Sequence, residues 1–188
     1  MERNMARWQV LTLVGGLGIA AAAWAQHASH QPATAPAATA AVAVVHPLGD
    51  SKVRGILRFT QTGQQVRVVA QIEGLTPGGK HAIHIHEYGD CSSPDGMSAG
   101  GHYNPEHHPH GLPDQAQRHA GDFGNLQADD KGVARLELTV NNLSIAGHHN
   151  PIIGRAVIIH AKPDDGGQPV GNAGGRIAGG VIGLAKAQ

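Results

Sequence analysis

Apolar and polar residues alternate in short bursts along this chain, and clusters of Gly, Pro, Asn and Asp separate the bursts. In Gln65–Glu73, Val66, Val68, Ala70 and Ile72 form one apolar face at period two, the signature of a half-buried strand. Similar runs occur at Ala41–His46, Val53–Thr60, Ala82–Glu87, Val133–Val140, Arg155–Lys162 and Arg176–Ile182. No segment sustains the 3.6-residue period of an amphipathic helix. Short strands punctuated by turn residues predict an all-β domain, an antiparallel sandwich or Greek-key barrel. One stretch resists this pattern: Tyr88–Asn125 is 38 residues with little periodicity. A connection of that length is usually functional or disordered.

The N-terminus reads differently. Arg3 and Arg7 precede Trp8–Ala25, 18 residues without a charge that close on Ala23-Trp24-Ala25. This is the layout of a secretory signal peptide with its small-residue cleavage site. Eighteen apolar residues also reach the lower limit of a spanning helix, but the cleavage site favours removal, which leaves no integral membrane anchor. With no cysteine nearby, a lipoprotein anchor is excluded. Gln26–Ala40 is rich in Ala, Pro and Thr and has little to bury, so it reads as a disordered tether carrying His27 and His30. The expected organisation is a signal peptide (1–25), a tether (26–40) and one domain (41–188), destined for the periplasm.

Composition narrows the chemistry. Lys plus Arg and Asp plus Glu are each 14, so the formal charge is zero. A nucleic-acid surface needs an excess of basic residues, and that class is set aside. Histidine is also 14 of 188, whereas there is a single cysteine, Cys91. Neither an internal disulfide nor a cysteine-rich zinc module is available, and any metal site must be built from His and Asp.

His84-Ile85-His86 places two imidazoles on one face of a strand while Ile83 and Ile85 face the other. By itself this pattern fits two solvated histidines as well as a metal site. The long unpatterned stretch then adds His102, His107, His108, His110 and His119, with Asp122 three residues after His119. A tight turn there can aim His119 and Asp122 at one ion. Three histidines and an aspartate suit four-coordinate zinc. His160 lies on a further predicted strand, with Asp164 just beyond it.

These motifs resemble the copper/zinc superoxide dismutase family, of the exported bacterial kind, over about Ala41 to Lys186. The matching segments are HIHEYGDC (84–91), SAGGHYNP (98–105), RHAGDFGN (118–125), IIGRAVIIHAKPDD (152–165) and GNAGGRIAGGVIG (171–183). The resemblance implies about eight antiparallel strands with long metal-binding and active-site loops. It implies copper on His84, His86, His102 and His160, and zinc on His102, His110, His119 and Asp122, with His102 bridging both ions. Among the neighbouring histidines, His110 fits the family spacing from His102 better than His107 or His108. Asp164 matches the aspartate that links a copper-ligand histidine to a zinc-ligand histidine, and Arg176 matches the active-site arginine. The implied reaction is disproportionation of superoxide to oxygen and hydrogen peroxide, with Arg176 docking the anion and His102 acting as ligand, bridge and proton carrier. A copper or zinc store or chaperone on the same fold is the alternative, but it requires neither Arg176 nor a bridging histidine.

Two departures stand out. Gly179 occupies the position where the family carries a second cysteine opposite Cys91. The loop 166–175 (GGQPVGNAGG) bears no charge. A homodimer is compatible with the resemblance, but no apolar stripe in the sequence marks its surface.

Overall fold

The structure is a computed structural model that describes residues 38–147 and 149–186, and the signal and tether assignments over 1–37 lie outside them. Eight antiparallel strands are present: β1 (Ala40–Pro47), β2 (Arg54–Thr62), β3 (Gln65–Glu73), β4 (Lys80–His86), β5 (Asp122–Gln127), β6 (Ala134–Val140), β7 (Ala156–His160) and β8 (Arg176–Leu184). Their lateral order is β5-β4-β7-β8-β1-β2-β3-β6, and β5 and β6 approach each other so that the barrel nearly closes. The β3–β4 and β6–β7 connections cross between the halves, which makes the topology a Greek key.

Seven strands fall where alternation predicts them, within two residues at each end, and β5 is the addition. Asp122–Gln127 lacks alternation because both of its faces are covered. Phe123 and Leu126 are buried in the barrel, while Asp122 is buried on the opposite side beneath the long loop. Gly124, at a φ of 76°, breaks the local pattern further.

The β2–β3 hairpin shows how local chemistry sets register. Thr62 pairs with Gln65 across a two-residue loop whose first residue, Gly63, has a φ of 59°. Glycine is the residue that accepts this conformation at the first position of a type II′ turn. The register it sets sends Val66, Val68, Ala70 and Ile72 inward, all buried. They pack with Ala43, Val45, Leu57, Phe59, Leu126 and Ile159. Outward positions of β2, β3 and β6 carry charge, including the cross-strand pairs Arg54–Glu73 and Arg67–Glu137. Such exposed pairs add under about 1 kcal/mol each and mainly keep this side of the barrel wet.

Candidate metal centre

The chain between β4 and β5 is fastened to the outside of the barrel by backbone hydrogen bonds. Tyr103 N–H donates to Ile85 O (2.8 Å), Gly121 N–H to Tyr103 O (3.0 Å) and Ile85 N–H to Gly121 O (2.9 Å). His102 therefore lies across β4, opposite His86. The predicted turn forms, with Asp122 N–H donating to His119 O (3.2 Å) and His119 N–H to Asp122 Oδ2 (3.0 Å). Tyr103 fills the space beneath, its ring 4.2 Å from the Arg155 guanidinium carbon.

Two clusters of donor atoms result, each with all members within 4.8 Å of one another. The first is His84, His86, His102 and His160; the second is His102, His110, His119 and Asp122. All seven residues are buried. In the second cluster, Asp122 Oδ1 stands 3.0 Å from His102 Nδ1 and 3.2 Å from His119 Nδ1, and Asp122 Oδ2 stands 3.0 Å from His110 Nδ1. The two nitrogens of His102 and His119 are 3.3 Å apart. Ligands on a tetrahedral zinc, with bonds of about 2.0–2.1 Å, are separated by roughly 3.3 Å. His110 Nδ1 is buried and, despite its closeness to Asp122, lies off the hydrogen-bonding direction. That nitrogen faces the space an ion would fill.

The first cluster passes the same test. His84 Nδ1 is buried with no partner, and His86 Nε2 faces His160 Nε2 at 3.4 Å. The far nitrogens are tied down, His86 Nδ1–H to Gly100 O (3.1 Å) and His160 Nδ1–H to Gly174 O (3.2 Å). These bonds fix the tautomers that leave donor lone pairs pointing inward. An all-imidazole set of this kind suits copper. His102 joins the clusters. Its Nδ1 belongs to the second, which leaves Nε2 for the first.

Asp164 spans the two clusters from behind. His84 Nε2–H donates to its Oδ2 and His110 Nε2–H to its Oδ1, each at 2.9 Å. Asn125 clamps its backbone, accepting from Asp164 N–H (2.7 Å) and donating to Asp164 O (2.8 Å). Gly171, at a φ of 72°, passes so close that a Cβ there would lie 2.2 Å from Asp164 Oδ1 and 2.7 Å from His110 Nε2. Only glycine fits that crossing.

Electrostatics separates the clusters. Burial, reinforced by His102, pushes His86 down to about 2. Burial and His84 push His160 down to about 3, and burial, partly offset by Asp122, brings His102 to about 4. All three are neutral donors at physiological pH. Burial disfavours charge on His110 as well, but Asp122 and Asp164 outweigh it and raise the imidazole to about 9. Burial likewise opposes charge on Asp122, yet the imidazoles of His102, His110 and His119 packed around it and the Gly111 N–H hold it well below the usual carboxylate range. The carboxylates therefore make the second cluster the one that favours a hard divalent charge.

A depression opens onto the first cluster, lined by His86, His102, His160, Asp95 and Arg176 among others. Arg176 donates from Nη1 to Gly96 O and from Nη2 to Gly100 O, both at 2.6 Å. Every sequence-predicted site residue is thus brought together, whereas His107 is exposed and His108 points away from the zinc donors toward Arg118 O (3.3 Å). Missed by sequence reasoning were Gly171, Asn125 and the carbonyls of Gly96, Gly100 and Gly174, the carbonyls because backbone acceptors leave no side-chain signal. His81 was missed too: it is buried behind β7, its Nδ1 3.0 Å from His160 O.

Comparison with known proteins agrees with this geometry. The family described as "Copper/zinc superoxide dismutase (SODC)" matches residues 53–182, which include every donor of both clusters. The chain is 42% identical over 144 residues to "Superoxide dismutase [Cu-Zn] 3" of Arabidopsis thaliana, covering 72% of this chain and 86% of that protein. A solved structure described as "Crystal Structure Analysis of the clock protein EA4" superposes with a TM-score of 0.73 at 40% identity, over 81% of this chain and 99% of that one.

Proposed function

The chain belongs to the copper/zinc superoxide dismutase family, and on that premise we propose that it removes superoxide outside the bacterial cytoplasm. Two superoxide anions and two protons become one dioxygen and one hydrogen peroxide. The observation that carries this reading is the His102 ring, shared between an all-imidazole cluster and a carboxylate-bearing one. Copper bound to the first cluster supplies a one-electron redox couple, and zinc bound to the second supplies a fixed positive charge behind the shared imidazole. The chain's own residues do the rest. Arg176 holds the anion at the rim, its guanidinium plane set by two carbonyls and its charge retained at every working pH. His102 can carry a proton on Nε2 to the departing peroxide, and the His86 and His160 imidazoles on that side of it are neutral.

Arg176→Ala is expected to lower the dismutation rate while both metals remain. A charge-assisted hydrogen bond of about 1.5–3 kcal/mol corresponds to a rate roughly ten- to a hundredfold slower. Pulse radiolysis with metal analysis on the same sample measures both quantities. A metal store would bind copper and show no rate for Arg176 to change. Because loop 166–175 is uncharged and Asp95 lines the depression, guidance of the anion from a distance is weak. The rate should therefore fall only shallowly with ionic strength. A steep decline would assign the steering to Lys or Arg elsewhere.

The N-terminal pattern supports export: Arg3 and Arg7, the uncharged stretch Trp8–Ala25, the A-W-A site, and the tether 26–40 ahead of the domain 41–188. The periplasm is the compartment this implies. A homodimer is supported by the outer face of β1 and β8. There Val42, Val44 and His46 lie beside Gly179, Val181 and Gly183 with no charge among them, and Val44 and Val181 are 51% and 45% exposed. An uncharged patch is self-complementary across a two-fold axis. Val181→Glu should shift sedimentation to the monomer, and a native protein that sediments as a monomer at all concentrations contradicts this surface.

A further inference from the structure

Loop 166–175 carries one side chain that reaches out of its own segment and grips another. The Gln168 amide spans both backbone groups of His110. Its Nε2–H donates to His110 O at 2.8 Å, and its Oε1 accepts from His110 N–H at 3.1 Å. In a sheet a neighbouring strand supplies such a pair of bonds. His110 lies instead in the β4–β5 loop, where no backbone group among the described residues reaches its N–H or C=O. The residue is buried, and a buried peptide group has to find a partner. Its ring is held from the other side by Asp164, 2.9 Å from Nε2. His110 is thus fixed at the main chain by Gln168 and at the far nitrogen by Asp164, which leaves Nδ1 facing the second cluster.

Both grips come from one braced stretch of chain. Gly166 N–H donates to Asp164 Oδ1 (2.9 Å), Asp165 N–H to Gly171 O (3.1 Å) and Gly171 N–H to Gly167 O (2.6 Å). Asn172 Nδ2 donates to the Asp165 carboxylate at 3.1 Å. Residues 164–172 therefore shift as a unit. The same loop walls the depression with Val170, Gly174 and Gly175, and Gly174 O holds His160 Nδ1–H. A displacement of His110 is passed through Gln168 to the chain that covers the first cluster.

We propose that Gln168 is a positioning residue of the zinc cluster, and that its clamp on His110 is a contact through which zinc binding orders loop 166–175 over the copper cluster. This role rests on zinc occupying the second cluster and is independent of the reaction at the first. Asp164 also links the clusters, but it grips the rings, whereas Gln168 grips the main chain on which one ring is mounted. Coupling of this kind is reciprocal: zinc that steadies the loop is itself held more tightly by a steadied loop.

The test titrates metal-free protein with Zn²⁺ against a competing chelator and follows amide hydrogen exchange with and without zinc. Gln168→Met keeps the length of the side chain and removes both bonds. Gln168→Asn keeps the amide but is one methylene too short to span His110, and it gives a second reading should the apolar variant not fold. Loss of a group that orients a metal ligand typically weakens binding about ten- to a hundredfold. The zinc Kd is expected to rise by that factor in both variants. In the parent, zinc should slow exchange across 166–175; in the variants, at saturating zinc, that protection should fall about tenfold or more while β2 and β3 exchange as before. The visible absorption of Co²⁺ placed in the second cluster should also change, because it reports ligand geometry rather than stability. A zinc Kd within about threefold of the parent's overturns the role of Gln168, and so does zinc protection of 166–175 equal to the parent's. Loss of protection spread through β2 and β3 would mark a general loosening and contradicts it as well. No readout involves superoxide, so failure here leaves the dismutation reading to its own tests.

Discussion

His160→Ala is expected to empty the copper site and bring dismutation down to the uncatalysed level while about one zinc per chain remains. His160 offers its Nε2 to the first cluster and is anchored through Nδ1 to Gly174 O. Its removal leaves three imidazoles and a cavity open to the depression in front of Arg176. None of the second cluster's donors comes from β7. Its shared member, His102, is held by Asp122 at 3.0 Å, independently of His160. Copper and zinc counts by mass spectrometry, with the rate on the same preparation, read both arms. Retention of copper and full activity would sink the assignment of this residue. Equal loss of both metals would show that the clusters are not separable, and a thermal melt distinguishes that from a misfolded variant.

Metal removal should lower the melting temperature by more than about 10 °C. Bound zinc would tie the long β4–β5 loop to the barrel, held by His102, His110 and His119 of the loop and Asp122 at the start of β5. Ligands that bind only the native state stabilise it by mass action, by about 4 kcal/mol at a thousandfold excess over Kd. For a domain of this size, one kcal/mol moves the melting point by roughly 2–4 °C. The structure supplies a way to restore the hold. A Cβ built on Gly179 lies 3.0 Å from Cys91 Sγ, close to the separation of about 3 Å that a Cβ and the sulfur across a disulfide keep. Gly179→Cys should therefore bond to Cys91. Closing so long a loop is worth roughly 3–5 kcal/mol in the chain-entropy model, less some crowding against Ile158 Cδ1 at 3.0 Å. The metal-free variant should melt roughly 5–15 °C above the metal-free parent, and the gain should vanish with reductant. A parent whose metal-free form melts within a few degrees of the loaded one would mean that packing alone secures the loop.

The residues themselves explain what could be read in advance. β3 was legible because one of its faces meets the barrel interior and the other meets water, so Val66 to Ile72 alternate cleanly. In β4 the same period holds for a different reason. Ile83 and Ile85 fill the barrel while His84 and His86 are roofed by the loop, so both faces are buried. β5 was hidden because its first residue serves the metal cluster and its third is a glycine. The donor histidines could be named because spacing and family motif agree on them. The choice of His110 over His107 and His108 rested on that motif, and the pairing with Asp164 and Asp122 bears it out. The uncharged outer face was invisible in the sequence because Val44 and Val181 become neighbours only when β1 pairs with β8.

The most direct test is a reconstitution series. Metal-free protein receives one equivalent of zinc and then graded copper, and each sample is assayed for bound ions and for superoxide decay. The rate is expected to rise in proportion to copper and to stop at one copper and one zinc per chain. Copper bound at that stoichiometry with superoxide decaying no faster than in buffer would contradict it.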